Sequence, residues 1–219
     1  MLHWLPKNIS KHPQYVDTLF TLIYWITLVV LVLVFATLIV FLIMYRHREG
    51  HRAEYIEGST KLEIIWTTAT TVIVFGLAML SFPEWNKLKA TPENPDYVVQ
   101  VRGEQFNWYM IYHGPDNEFG TDDDLELENE LYVPIDKDIQ IELTSIDVIH
   151  SFFIPNLRLK QDALPNRVLK NIMFNAQETG RYEIPCAELC GFGHAEMRGY
   201  LIVKTQDEYD AWVKEQWPE

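Results

Sequence analysis

Cysteine is scarce in this 219-residue chain. There are two, Cys186 and Cys190, and no Cys-x-x-Cys-His run occurs, so no c-type haem is attached covalently and no cytochrome is fused to it. Basic residues are scarce as well beyond residue 82. Residues 83–219 hold 12 Lys and Arg against 26 Asp and Glu, while residues 1–82 are close to neutral and the whole chain stands at −13. A domain this acidic repels nucleic-acid phosphates and favours a basic partner drawn in by its field. Charge is nearly missing from two further stretches: Asp17 is the sole charged residue from Val16 to Met44, and none lies between Ile64 and Phe82. Helices of a soluble core rarely lack a polar face over such lengths. No internal repeat or low-complexity tract is present.

What is there, in those two stretches, is length. Each run is long enough to cross a hydrocarbon core of about 30 Å at 1.5 Å per residue, so two membrane helices are expected, at about residues 16–45 and 62–82 of a hairpin covering 15–82. The start is polar and carries Pro6 and Pro13, unlike a secretory signal, so the first helix reads as an anchor. Arg46, Arg48 and Arg52 in the connecting loop, followed by Lys61, place that loop on the cytoplasmic or matrix side. The N-terminal tail, residues 1–14, and everything after Pro83 then lie on the opposite face. Pro83 to Pro95 reads as a linker, 83–96.

Beyond it the period changes to two. In Asp138-Ile139-Gln140-Ile141-Glu142-Leu143 apolar and polar residues alternate, and similar runs occur at 97–101, 106–112, 148–154, 168–174, 181–184 and 199–203. So many short strands between Gly, Pro, Asn and Asp predict an all-β sandwich or barrel over 97–205. Thr205-x-x-Glu208 is a capping box that opens a C-terminal helix within 206–219.

Both cysteines fall in Pro185-Cys186-Ala187-Glu188-Leu189-Cys190-Gly191-Phe192-Gly193-His194-Ala195-Glu196-Met197. Thiolate and thioether select soft Cu(I), and imidazole accommodates either oxidation state, so the set favours copper. A single blue-copper site needs one thiolate; a second thiolate allows two bridged coppers, which then require another histidine. His150 is the natural candidate and His113 a loop-borne competitor, while His47 and His51 fall on the wrong side of the membrane and His3 and His12 in the tail. A disulfide and a structural zinc on Cys2His2 are the competing readings. The first leaves His194 and Met197 unexplained and gains little from so small a loop, and Met197 is a poor zinc ligand.

His150-Ser151-Phe152-Phe153-Ile154-Pro155, then Leu157-Arg158-Leu159-Lys160-x-Asp162-Ala163-x-Pro165-x-Arg167, then Cys186 to Met197 resemble the CuA domain of cytochrome c oxidase subunit II, and the likeness extends through both anchors. It implies a cupredoxin-like domain holding a dinuclear copper centre, CuA. Cys186 and Cys190 would bridge, His150 and Met197 would serve one copper, and His194 with the Glu188 carbonyl the other. The Glu188 side chain would reach a magnesium shared with subunit I, and haem would reside in that partner alone. The implied activity is electron entry: a c-type cytochrome, soluble or within a supercomplex, reduces the centre, and subunit I reduces oxygen with proton pumping.

The same resemblance assigns further residues. Gly103-Glu104-Gln105-Phe106-Asn107-Trp108 matches an aromatic electron-entry segment, with Phe106 standing where the family has tryptophan and Trp108 kept. Asp147 matches an acidic position of the cytochrome-docking surface, Asp162 lies in the segment bordering subunit I, and Glu63 matches a glutamate at a proton-channel mouth. Glu63 also completes the capping box Thr60-x-x-Glu63. Asp116, Glu118, Asp122, Asp123 and Asp124, with Gly114 and Gly120, form an oxygen-rich loop of the kind that binds calcium, although without EF-hand spacing. A quinol-oxidase type of subunit II would lack the copper ligands, a copper chaperone or storage module would need neither Glu63 nor the aromatic segment, and a nitrous oxide reductase would add a large catalytic domain. The acidic loop and Phe106 favour a bacterial plasma membrane, with the β-domain on the periplasmic side, over a mitochondrial inner membrane.

Overall fold

The computed structural model describes residues 4–11, 14–52, 55–89 and 94–218. The chain divides into two compact units. The first is built on two helices, α1 (Gln14–Met44) and α2 (Thr60–Lys89). Their mid-sections expose Val, Leu, Ile and Phe on all sides, and α1 at about 46 Å is longer than a bilayer core. With no polar face, these helices need a lipid environment rather than water.

Two boundaries differ from those read in the sequence. Helix α2 runs through Pro83 to Lys89, so residues 83–89 are helical rather than linker. Proline there costs one hydrogen bond to the preceding turn, and the long apolar run before it carries the helix through. At the other end the cap is Ser59. Leu62 N donates to Ser59 Oγ at 3.4 Å and Glu63 N to Ser59 O at 3.0 Å. Thr60 is already helical, so the Thr60-x-x-Glu63 box does not form.

The second unit is a β-sandwich. A five-stranded sheet runs in the order β3 (Leu125–Glu128), β2 (Asn107–Tyr112), β1 (Tyr97–Glu104), β5 (Ile139–Ser145), β8 (Leu169–Phe174). Opposite it lie β4 (Glu130–Pro134), β10 (Arg198–Lys204) and β9 (Gly180–Pro185), and β6 (His150–Ile154) pairs with β7 (Leu159–Ala163) as a hairpin. Alternation sets the core: Val99 and Val101 of β1, Trp108 and Met110 of β2, Ile139, Ile141 and Leu143 of β5, and Leu201 and Val203 of β10 all point inward and are buried. Gln140 breaks the alternation on β5, buried because its amide donates to Lys170 O at 2.7 Å. Helix α3 (Gln206–Gln216) opens on the expected capping box, with Glu208 N donating to Thr205 Oγ1 at 3.3 Å and Thr205 N to Glu208 Oε2 at 3.0 Å.

The N-terminal segment belongs to this domain rather than forming a separate tail. Ile9 is buried in the core; its N–H donates to Asn156 O at 2.9 Å and its carbonyl accepts from Gln177 N at 2.7 Å. Lys7 pairs with Glu178, and Lys11 with Asp136 at 3.2 Å.

The acidic loop does not gather its carboxylates. Asp116 Oδ1 accepts from Glu118 N at 2.9 Å, Asp124 Oδ2 from Gly120 N at 2.6 Å, and Asp123 Oδ1 from Thr121 Oγ1 at 2.6 Å. Asp123 also lies against Gly114 so closely that a Cβ there would meet its carboxylate at 2.0 Å. These oxygens cap the loop's own backbone and side chains. No three of these carboxylates form a cluster with oxygens within 4.8 Å of one another, and Glu118 and Asp122 are exposed.

Candidate metal centre

Three elements meet at one end of the sandwich: the start of β6, the turn between β1 and β2, and the loop from β9 to β10. Among the described residues, the one group of three or more His, Cys or carboxylate side chains able to share an ion is His150, Cys186 and Cys190, with ligand atoms all within 4.8 Å of one another. All three are buried.

The loop is held by its backbone. Phe152 bridges to Cys186, Cys186 N donates to Met197 O at 3.1 Å, and Ala187 N donates to Ser151 O at 2.9 Å. The chain then winds through a helical turn, with Met197 N donating to Gly193 O at 3.2 Å and to His194 O at 3.3 Å. This winding brings residues far apart along the loop onto one side. Cys186 Sγ and Cys190 Sγ stand 3.9 Å apart, His194 Nδ1 lies 3.5 Å from Cys190 Sγ, and Met197 Sδ lies 3.7 Å from the same sulfur. The Glu188 carbonyl is 3.3 Å from Cys186 Sγ, while its side chain is exposed. The cysteines are free thiols rather than a disulfide.

His150 is fully buried and oriented by its far side. Nε2–H donates to Asp147 Oδ1 at 2.8 Å, which leaves Nδ1 with a lone pair aimed into the cluster, 3.2 Å from Met197 Sδ and 3.9 Å from Cys186 Sγ. A carboxylate behind a ligating imidazole fixes both tautomer and ring orientation. Asp147 thus orients His150 through this bond, while the residue remains exposed at the surface. Its other oxygen accepts from Gln105 N at 2.7 Å. Burial works to raise its pKa, but hydrogen bonds from His150, Val148 N and Gln105 N hold it below the usual carboxylate range.

The thiols tell the same story from the opposite direction. Burial, with Cys186 adjacent, pushes the Cys190 thiol up to about 11. A thiol raised this far does not ionise by itself at neutral pH; a metal ion ionises it outright. The donor set of two sulfurs, two imidazoles, a thioether and a carbonyl exceeds what tetrahedral zinc accepts and fits soft copper. Two sulfurs 3.9 Å apart are also within reach of one ion through two metal–thiolate bonds of about 2.3 Å each.

The aromatic segment is placed otherwise than expected. Trp108 is fully buried, its ring edge-on to His150 at 5.9 Å and to Phe152 at 5.3 Å, so it touches no docking partner and instead floors the site. Phe106 is half-buried, its ring beneath Gly191 and Gly193, where added Cβ atoms would approach it to 3.1 and 2.6 Å. Its ring supports the ligand loop while staying partly exposed. His113 is remote from the cluster, stacked edge-on with Phe119 and bonded to Gly114 O. His3 and His12 lie outside the described residues. Asp162 accepts from Ser151 Oγ at 2.7 Å, beside His150 in the chain, and from Lys160 at 3.1 Å.

Two residues of the site were not singled out as its parts in the sequence. Gln105 ties two loops together, its backbone N–H on Asp147 and its side-chain amide on Cys190 O. Gly103 lies where a Cβ would meet His150 Cδ2 at 3.0 Å and Trp108 Cζ3 at 3.1 Å. The Gly-x-Gln spacing was the available signal for both.

Comparison with known proteins agrees with this geometry. Residues 91–205 match the family model described as cytochrome c oxidase subunit II, periplasmic domain, and residues 4–83 match its transmembrane domain. A cytochrome c oxidase subunit 2 of Synechocystis is 32% identical over 258 residues, covering 95% of this chain and 74% of the relative. An alternative cytochrome c oxidase subunit 2 of Bradyrhizobium diazoefficiens is 29% identical, covering 97% and 83%. The crystal structure of the periplasmic domain of subunit II of the Bradyrhizobium japonicum cytochrome oxidase superposes with a TM-score of 0.51 at 31% identity, over 58% of this chain and 96% of that one. With both of its units matched, the chain belongs to the cytochrome c oxidase subunit II family and is a membrane component of a cytochrome c oxidase complex.

Proposed function

We propose that this subunit is the electron-entry point of its oxidase, holding a dinuclear copper centre, CuA, on Cys186, Cys190, His150, His194, Met197 and the Glu188 carbonyl. The observation that carries the reading is the convergence of His150 Nδ1 and both thiols in one buried cluster, with Met197 Sδ and His194 Nδ1 against it. When bound, the copper pair supplies a one-electron carrier between a c-type cytochrome and the haem and copper sites of subunit I, where oxygen is reduced and protons are pumped. The chain's residues supply the rest. Asp147 holds His150 in its ligating tautomer, Trp108 and Phe152 exclude water from behind it, and Gln105 and Phe106 brace the ligand loop. A rigid, dry cage keeps donor positions fixed when the charge changes, which favours electron movement at small driving force.

Outside the centre, the exposed Glu188 carboxylate is free to bind magnesium with subunit I. Glu63, at the start of α2, is the candidate proton-entry residue at the opposite membrane face. The arginine-rich loop between the helices sets the orientation, with the β-domain on the periplasmic side of a bacterial plasma membrane.

Metal analysis and optical spectroscopy of the purified oxidase test the reading. Two coppers per chain in this domain, with purple mixed-valence absorption that Cys186→Ser and Cys190→Ser each abolish, are expected. A single copper, or zinc, in wild-type protein overturns it.

A further inference from the structure

A cavity of about 420 Å³ opens between the first residues of β1, the last of β2 and helix α3. It lies away from the metal centre. Tyr97, in its wall, stands six residues before Gly103 on β1, which is about 20 Å at 3.3 Å per residue. Helical spacing builds one side: Tyr209 and Val213, four residues apart on α3, share a face, and Trp217 continues it just past the helix end. Val98 and Val99 of β1 line the cavity as well. Well-packed interiors leave few voids larger than a water molecule. This one falls within the range of about 300–1,000 Å³ usual for small-molecule sites.

Several of the cavity's polar groups are satisfied within the protein. Tyr97 Oη accepts from Gln206 Nε2 at 3.3 Å, Tyr112 Oη donates to Tyr132 O at 3.0 Å, and Trp217 Nε1 donates to Asp123 O at 2.8 Å. Two others have no such partner among the described residues. Tyr209 keeps only 5% of its exposure, yet its hydroxyl makes no hydrogen bond. Burial pushes its pKa up, so the group stays a donor, and a buried donor without an acceptor is costly. Lys214, exposed on the last turn of α3, forms no ion pair. It is the only charged side chain lining the cavity, in a domain where carboxylates outnumber basic side chains by more than two to one.

We propose that this cavity binds a small apolar carboxylic acid, its chain or ring against Val98, Val99, Val213 and Trp217 and its carboxylate accepting hydrogen bonds from Lys214 Nζ and the Tyr209 hydroxyl. The lining decides among ligand classes. A cation would meet Lys214 and no carboxylate, and a purely apolar molecule would leave both donors without an acceptor. A carboxylate answers both, and its bond to an ammonium group is of the stronger, charge-assisted kind. The site is independent of the copper reading above, since it shares no residue with the metal centre.

The test uses the intact oxidase complex, with assembly of each variant checked by gel filtration. The probe is para-(trifluoromethyl)phenylacetate, titrated by fluorine NMR, with the corresponding amide as its uncharged counterpart. Saturable binding of the acid to wild type is expected, weakened about tenfold by Lys214→Met and by Tyr209→Phe, each of which removes one donor to the carboxylate. The amide should bind wild type more weakly than the acid does, and Lys214→Met should bring the two close together. Val213→Trp, which fills the cavity, should abolish saturable binding; Lys214→Met, at an exposed position, keeps the test decisive if that larger change disturbs folding. Absence of saturable binding to the wild-type complex overturns the proposal, whether another subunit covers the cavity or the cavity rejects such acids. Wild-type affinity in Lys214→Met and Tyr209→Phe overturns it by placing the probe elsewhere. An amide bound as well as the acid overturns it too, by showing that the cavity takes neutral molecules.

Discussion

Asp147 Oδ1 accepts the Nε2 proton of His150 at 2.8 Å, three residues along the chain, and this single bond decides which imidazole nitrogen faces the two cysteines. The carboxylate itself is secured by Val148 N at 2.6 Å and Gln105 N at 2.7 Å, and its side chain keeps only 26% of its exposure. Asp147→Asn preserves the shape but removes the charge and permits the amide to present its NH2 to Nε2, which would favour the wrong tautomer. Copper affinity should fall about 10- to 100-fold, the usual cost of losing a carboxylate behind a ligating histidine. Competition with a chelator measures it. The salt dependence of cytochrome reduction in the copper-loaded variant should hardly change, whereas a marked flattening would return Asp147 to the docking surface.

Gly103→Ala tests the packing beneath the same imidazole. The new methyl would stand 3.0 Å from His150 Cδ2 and 3.1 Å from Trp108 Cζ3. Both rings are fully buried, and His150 is fixed from its other side by Asp147, so neither has room to yield. Overpacking of this kind costs about 1–3 kcal/mol, expected as a lower midpoint in urea denaturation of the domain. The optical spectrum of the loaded centre should shift as well, because His150 is the ring displaced.

These relationships mark where the sequence stops being informative. The ligand run was legible because Cys186, Cys190, His194 and Met197 sit within one loop of twelve residues, and β5 because Ile139, Ile141 and Leu143 alternate with polar neighbours. Strands β3, β4 and β7 went unread. Leu125 to Glu128 follows directly on the acidic loop and is half carboxylate, and β4 ends in proline and gains its place only by parallel pairing with β10, about 70 residues later. The bracing of the ligand loop by Gln105 and Phe106 spans a similar separation, with no local pattern to announce it. Pro83 was a misleading signal, since a long apolar helix can absorb a single proline near its end.

Ile9 was unreadable for the same reason, a lone isoleucine in a polar segment. It fills a gap in the domain core and makes two backbone hydrogen bonds, to Asn156 and Gln177. Truncation by Ile9→Ala should cost about 2–4 kcal/mol if the gap does not collapse. A soluble domain starting near residue 87 should be less stable than the same domain with residues 4–11 linked to its N-terminus, measured by thermal denaturation. The clasp should also be acid-sensitive. Hydrogen bonds from Gln177 and Lys11 hold the Asp136 carboxyl below its ordinary range, so its contribution is present at neutral pH and is lost as pH falls through that lowered value. Equal melting of the two forms at neutral pH would show that the segment adds nothing.

Glu63 provides the cleanest separation of a structural role from a functional one. The helix start is capped by Ser59, whose hydroxyl accepts from Leu62 N and whose carbonyl accepts from Glu63 N; the Glu63 side chain is exposed and lies near Gly58. Replacing the carboxylate with an amide of equal size therefore removes no capping bond, and the fold and assembly of the complex should be preserved. Loss of a favourable acidic group in the first helical turn costs a few tenths of a kcal/mol to about 1 kcal/mol, too little to disturb a helix of 30 residues. If Glu63 receives protons for the oxidase, Glu63→Gln should lower steady-state turnover several-fold while leaving both the copper spectrum and the rate of its reduction by cytochrome unaltered, because the proposed electron entry uses none of the residues of α2. Ser59→Ala is the matching control: it removes the Oγ cap and should destabilise the helix start by about 1 kcal/mol without slowing proton-limited turnover. Wild-type turnover in a normally assembled Glu63→Gln complex would exclude the proton-entry role.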